Sequence, residues 1–523
     1  MIRLTALLAA TAVFFGQTVS DPYRYLENAT SARTQAWIDA QNARAERVLD
    51  AYSGNARIVR RVQQLALTGV QQSDAHISGN MLFYVRETPP QPQPLLVAQP
   101  WPSGTPRVLL DPARIGQAVS IDFVWPAPNG RLVAIATSSG GSESATIRVV
   151  DSSGRLLSEA LGPAGGGTTG PALAWDADSR GFTYGRLPAN GSQFGIQLYH
   201  HVIGAPQTAD RLLLGAISPI AEYQLLTSSD ARQAAALVNF GDGSFARVYQ
   251  RVSQVWRPAV GVQAGIVSGA FAGGSLLVVA TANSPNGRIA RVGRGGTLTT
   301  IVPAAADWAM HDVAPVRGGF LVTQSWGTRW RIAHYSSNGR LVRVVALPQS
   351  GIGIDGIASD DSQSQAIIAY SGWTGPASRW VAYDGQNGTL RTIYDLKVPS
   401  NAYARVRVHE LTAVSKDGTR VPVTVLALAG TPQNGNAPAI LTGYGGFRIS
   451  TAPHFLGANL AWLELGGIYA FANMRGGTEF GEAWHRGGML TNKQNVFDDF
   501  YAAAQALVRE KWTNPRRMGI EGG

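Results

Sequence analysis

One stretch of the sequence has residue types and spacing suited to acyl chemistry. Ile440-Leu441-Thr442-Gly443-Tyr444-Gly445-Gly446-Phe447 is an apolar strand running into a glycine-rich loop. An oxyanion loop follows an early strand of a hydrolase sheet in this way. A tyrosine hydroxyl there could donate to a developing oxyanion beside a backbone N–H next to a nucleophile; a β-to-α turn with a packed tyrosine would look the same in sequence. Zero cysteines leave only oxygen or nitrogen as nucleophile and exclude disulfides, thiolate metal sites and iron–sulfur clusters. No G-x-S-x-G elbow occurs in the chain. In the order nucleophile, acid, histidine, both partners of a serine would therefore also lie beyond residue 523, as expected of a hydrolase domain cut short.

Other candidates are weaker. His200 and His201 alternate across a strand and cannot chelate one metal, so no metal site is assigned. His485 is read as structural. Asp498 and Asp499 precede or begin a helix, where carboxylates favour the N-terminal dipole, and are not read as an acid/base pair.

Three regimes must position these residues. After a basic start, Leu4 to Gly16 is an apolar run followed by Gln17-Thr18-Val19-Ser20, the pattern of a signal peptide and too short to span a bilayer. Cleavage near Ser20 would place the protein in the periplasm or medium, without stable membrane association. Ala32 to Leu67 has helical periodicity through Trp37, Ile38, Val48, Leu49, Ile58, Val62 and Leu65. From Asp74 to Pro399 short strands alternate with tight turns, and one turn-then-strand unit recurs. Gly79-Asn80 precedes MLFYV, Asn129-Gly130 RLVAIA, Arg180-Gly181 FTYG, Ser229-Asp230 AAALV, Gly273-Gly274 SLLVVA, Gly318-Gly319 FLVTQ and Asp360-Asp361 AIIAY. The spacing, roughly 42 to 51 residues, is that of a four-stranded propeller blade, and seven units predict seven blades.

Beyond Ala402 the buried-strand runs Val423 to Leu428, Ala439 to Thr442 and Ile468 to Asn473 predict a parallel α/β sheet. A helix is expected over Asn495 to Glu510, with Phe497, Phe500, Tyr501, Ala504 and Leu507 on its apolar side, and a strand over Arg517 to Glu521. The predicted architecture is a seven-bladed β-propeller (74–401) plus an α/β-hydrolase domain (402–523, incomplete at its C-terminal end), with a helical part of the hydrolase domain at 21–73. The net charge of +10 is spread as scattered arginines without a basic block, so no nucleic-acid partner is expected.

The chain resembles the prolyl oligopeptidases, serine peptidases whose α/β-hydrolase domain is interrupted by a seven-bladed propeller. Asp21-Pro22-Tyr23-Arg24-Tyr25-Leu26-Glu27 is similar to the family's opening, with Tyr25 where Trp is usual. Tyr444-Gly445-Gly446-Phe447 with Ser450, Pro453 and Phe455 resembles its oxyanion stretch. Asn473-Met474-Arg475-Gly476-Gly477-Thr478-Glu479-Phe480-Gly481, then Trp484-His485 and Asn492-Lys493-Gln494-Asn495, match its most recognisable run, with Thr478 replacing Gly.

The resemblance implies an exported serine oligopeptidase that cleaves short peptides after proline through an acyl-enzyme. It needs no cofactor and is a monomer when complete. Tyr444 would be its oxyanion donor and Phe447 an apolar wall of the proline pocket; Arg448, where Asn is usual, departs from the pattern. The residue after the pair equivalent to Gly522-Gly523 would be the nucleophile, so residues 1–523 alone are expected to be inactive, marginally stable and prone to association. The alternative is a catalytically dead propeller that binds peptides.

Overall fold

The computed structural model describes residues 20–522, apart from short stretches at 67–68, 141, 143, 168–169, 242–244, 253–254, 349–350 and 399–400. The expected signal segment lies outside the described residues except for Ser20. Two compact units divide at Gln63 and Gln64. The first carries α1 (Ala32–Asp50) and most of α2 (Asn55–Ala66). Ser31 caps α1 by accepting from the Thr34 N–H at 3.2 Å. The helical run expected over 32–67 is thus two helices. They break at Ala51 to Gly54, where a side chain on Gly54 would stand 2.6 Å from the Tyr52 ring.

The second unit holds both sheet regimes. Five separate four-stranded antiparallel sheets and one eight-stranded sheet follow one another from Gln71 to Asp395. The eight-stranded sheet is two blades joined where Ala164 pairs with Arg186. Each recurrent turn of the sequence connects the first and second strands of a blade. Gly79 thus joins Gln71–Ser78 to Met81–Glu87, and Gly273-Gly274 joins Ile266–Ala272 to Ser275–Ala280. Their glycines have positive φ, +56° at Gly79 and +70° at Gly274, which a two-residue hairpin demands.

Apolar clusters at every junction tie neighbouring blades into a ring. Phe83 and Leu96 of the first blade pack with Ile135 of the second, Leu198 of the third with Val238 of the fourth, and Leu237 of the fourth with Val278 of the fifth. Val279 meets Val322 of the sixth blade, and Leu321 meets Ile368 of the seventh. The ring closes without a shared strand, because Trp380 and Ile367 of the last blade pack directly on Tyr84 and Val97 of the first. The Tyr84 and Trp380 rings meet edge to face at 5.8 Å.

The chain then forms a five-stranded sheet from β1 (Val406–Val414), β2 (Arg420–Leu428), β3 (Ala439–Thr442), β4 (Ile468–Ala472) and β5 (Met518–Glu521), in the order β1-β2-β4-β3-β5. The first two pairings are antiparallel and β3 runs parallel to both β4 and β5, so the sheet is mixed rather than the parallel one expected, because β1 and β2 form a hairpin at its edge. Three further helices are α3 (Leu460–Glu464), α4 (Glu482–Arg486) and α5 (Gln494–Arg509). One face of the sheet buries Val423, Leu441 and Ala470 under α5; the other buries Leu426, Tyr469 and Phe471 under α3.

Helix α5 corrects the expected face. Phe497 and Tyr501 are exposed, while Val496, Asp499, Ala503, Ala506 and Leu507 are buried. The stripe is shifted because Asp499, polar by type, is taken inward by an ion pair. Starting at Gln494, the helix places Asp498 and Asp499 in its second turn, so neither caps nor opens it. Asp498 accepts from Gln494 at 3.0 Å.

Candidate active site

The parallel pairing of β3 with β5 matches Thr442 to Glu521. The glycine-rich loop and Gly522 therefore leave adjacent strands at the same edge, the carboxyl ends where α/β sheets build their sites. Two glycine loops lie back to back here. A side chain on Gly445 would come within 2.4 Å of Val496 Cγ1, and one on Gly476 within 2.4 Å of the Gly445 carbonyl oxygen. Only glycine fits at this approach, and both residues have positive φ, +64° and +98°. The loops are stitched by the Arg448 N–H donating to the Gly476 carbonyl at 3.2 Å.

Tyr444 and Phe447 stand on this loop, both exposed, with ring centroids 6.5 Å apart. Phe447 and Arg448 are consecutive left-handed residues, φ +51° and +60°. Such a conformation in bulky side chains costs on the order of 1–2 kcal/mol each and persists only where the surroundings enforce it.

Arg475 anchors the second glycine loop. Its backbone N–H and guanidinium both bond to Asp499, with Nη2 to Oδ1 at 2.6 Å, and it reaches Asp417 and Ser415 on the β1–β2 hairpin. Burial opposes the Arg475 charge, but Asp499 and Asp417 outweigh it and raise its pKa above the ordinary guanidinium value. The bond from Arg475 in turn pulls the Asp417 carboxyl down to about 2. Asp499 is fully buried. Sequence reasoning missed this role for Asp499, whose partner lies 24 residues away.

Arg448, the departure beside the loop, lines the space between sheet and propeller rather than the tyrosine loop's exposed face. It bonds Glu482 at 3.3 Å, and its guanidinium lies 5.1 Å from the ring of Phe245 on the propeller. Burial would raise the Glu482 carboxyl, but bonds from His485 and Arg448 hold it below its ordinary value. His485 is fully buried against Glu482 at 3.3 Å. His200 bonds Asp176 and His201 bonds Asp210, each at 2.7 Å, on opposite sides of their strand.

The loop at Thr478 to Gly481 joins the sheet to the propeller. The Gly327 N–H donates to the Glu479 carbonyl at 2.9 Å, and Phe480 meets Trp326 edge to face at 5.1 Å. The Glu479 side chain is buried, accepts from the Thr451 N–H at 3.0 Å and from Asn473 at 3.2 Å, and leaves Oε2 without a partner among the described residues. Burial pushes its carboxyl up to about 7.

A cavity of about 620 Å³ lies between propeller and sheet, lined by His311, Asp312 and Asp355 on one side and Arg448, Ser450 and Glu482 on the other. Neither Tyr444 nor Phe447 lines it. Burial pushes His311 down to about 4 against the opposing pull of Asp312, so the ring is neutral at pH 7. At the far end of the ring Asp361 of the last blade accepts from the Gly273 N–H at 2.8 Å and from Ser229, bonding across to the fifth and fourth blades.

With this geometry in view, comparison with known proteins places the chain. The model of the prolyl oligopeptidase N-terminal beta-propeller domain matches residues 9–395, and that of the prolyl oligopeptidase family matches residues 453–523. The chain belongs to the prolyl oligopeptidase family. A prolyl endopeptidase of Elizabethkingia meningoseptica is 27% identical over 542 residues, covering 99% of this chain and 74% of its own length. One from Dictyostelium discoideum is 33% identical over 192 residues, 36% of this chain and 25% of that protein. Among solved structures, one from a structural and mechanistic analysis of two prolyl endopeptidases superposes with a TM-score of 0.88 at 28% identity, over 96% of this chain and 75% of that one. Prolyl oligopeptidase B of Galerina marginata, bound to a 35mer, shares the fold with a TM-score of 0.85 at 23% identity, over 96% and 75%. A propeller followed by a serine-peptidase α/β sheet is thus the architecture of this chain's family, and it spans about three quarters of these first relatives' length.

Proposed function

We propose that this chain supplies the propeller, oxyanion loop and elbow strand of a serine oligopeptidase that cleaves short peptides after proline. The observation that carries the reading is the Thr442–Glu521 register, which brings the start of the tyrosine loop beside the start of the elbow turn at one sheet edge. A serine following Gly522-Gly523 attacks the peptide carbonyl, a histidine takes its proton and later returns it to the leaving amine, and an aspartate orients that histidine. The reading assigns all three to sequence outside this chain. Negative charge gathers on the carbonyl oxygen as the tetrahedral intermediate forms, and the Tyr444 hydroxyl donates to it. Phe447 presents an apolar ring to the proline side chain, and the propeller limits access to short peptides. No cofactor takes part.

A fluorophosphonate probe tests the reading. The complete gene product is expected to be labelled at a serine following Gly523, and residues 1–523 are not. Labelling of any serine within residues 1–523 overturns the assignment. Faster cleavage after arginine than after proline, with paired chromogenic peptides, overturns the specificity.

Export and a monomeric state complete the proposal, the first resting on the Met1 to Ser20 pattern alone. N-terminal sequencing of the native protein is expected to begin near Asp21; a start at Met1 would remove it.

A further inference from the structure

The glycine loop poses a mechanical problem. Gly445 is required by close packing, and Gly446 follows it, yet glycine leaves the backbone next to Tyr444 with the widest rotational freedom of any residue. A catalytic donor must be held in place before the reaction, since a displaced hydroxyl loses the electrostatic gain it offers. Lys493 answers this problem. Its Nζ donates to the Gly445 carbonyl at 2.7 Å, and a side chain on Gly446 would stand 3.5 Å from the same ammonium. Holding that oxygen fixes the plane of the Gly445–Gly446 peptide, and with it ψ of Gly445 and φ of Gly446. Val496, one turn along α5, fills the space against Gly445 from the same side.

The charge of Lys493 is also out of place by local rules. It occupies the position just before α5, where its side chain caps nothing. A cation at a helix N-terminus opposes the macrodipole at a cost of roughly 0.3–1 kcal/mol. The bond to Gly445 compensates for that placement.

We propose that Lys493 is a positioning residue for Tyr444, immobilising the glycine loop so that the tyrosine hydroxyl is already directed at the oxyanion. This rests on the reading of Tyr444 as oxyanion donor, and the test separates the two. In the enzyme carrying its catalytic serine, Lys493→Met is expected to lower kcat about tenfold with KM changed less than about twofold, because the donor matters in the transition state. Lys493→Gln, whose amide still donates to a carbonyl, should recover most of the loss and guards against a simple folding defect. Tyr444→Phe is expected to lower kcat by about 10- to 100-fold. Lys493→Met in the Tyr444→Phe background should then cost nothing further.

Unchanged kcat in Lys493→Met beside a slow Tyr444→Phe overturns the role of Lys493 and leaves the oxyanion reading standing. Full activity in Tyr444→Phe overturns the oxyanion reading itself. Multiplying losses in the double variant, or a Lys493→Gln as slow as Lys493→Met, show a lysine acting independently of the tyrosine and overturn the proposal.

Discussion

The propeller and the α/β sheet solve the same problem, holding surfaces in register, by opposite means. In the propeller, stability is distributed. Each blade contributes similar strands, and each junction is an apolar cluster confined to two neighbours, such as Val279 against Val322 or Leu321 against Ile368. Around the candidate site it is concentrated. One arginine, Arg475, joins the glycine loops to α5 and to the β1–β2 hairpin, through carboxylates distant in sequence. A repeated apolar interface tolerates local loss because its energy is a sum over neighbours. A buried charge network does not, since removing one partner strands the other.

The sharpest way to break this contrast is Arg475→Met, which leaves Asp499 buried without its cation. Destabilisation of about 3–5 kcal/mol is expected in urea unfolding, with recovery when Asp499→Leu is added. Failure of the second change to recover stability would show that Arg475 acts by packing alone.

In the propeller, Phe320→Ala and Leu96→Ala, at different junctions, are each expected to cost about 2–5 kcal/mol. Their sum should hold within about 0.5 kcal/mol, as for sites without shared partners. Strong coupling between them would show that the ring responds as one body.

The junction between the two regions has its own signature in pH. The Glu479 carboxyl is raised from 4.5 to about 7, so it is neutral and harmless in acid and costs stability as pH rises through that window. Relative to Glu479→Gln, the wild type should lose roughly 3 kcal/mol between pH 4 and 8, since each tenfold change in proton affinity on folding is worth roughly 1.4 kcal/mol. Parallel stability curves would remove Glu479 as the source. The smallest effect is expected for Arg155→Ala, whose pair with Asp151 lies on the surface: about 0.5 kcal/mol or less, fading in salt.

The two regions also differed in how far they could be read in advance. Propeller blades repeat, and several of their hairpins place glycine in the left-handed conformation it adopts most cheaply, so Gly79, Gly130 and Gly274 mark hairpins in the sequence itself. Strands β2, β3 and β4 of the α/β sheet were legible for a related reason, because buried strands are continuous apolar runs, whereas β1, largely exposed and polar, was not read. The face of α5 was not. Phe497 and Tyr501 look like core residues and are exposed, while Asp499 looks like surface and is fully buried. Periodicity counts apolar side chains and has no knowledge of a guanidinium arriving from another loop.

Sequence alone therefore determined most of the strands, how many blades the ring contains, and that a tyrosine follows a strand into a glycine loop. These properties are local, set by side-chain period and backbone freedom over a few residues. Tertiary structure decided the rest. The order β1-β2-β4-β3-β5 brings Thr442 level with Glu521, Asp499 meets Arg475, and Lys493 reaches the Gly445 carbonyl. Each of these pairs joins residues far apart in the chain, and only the packing of sheet and helix brings them within bonding distance.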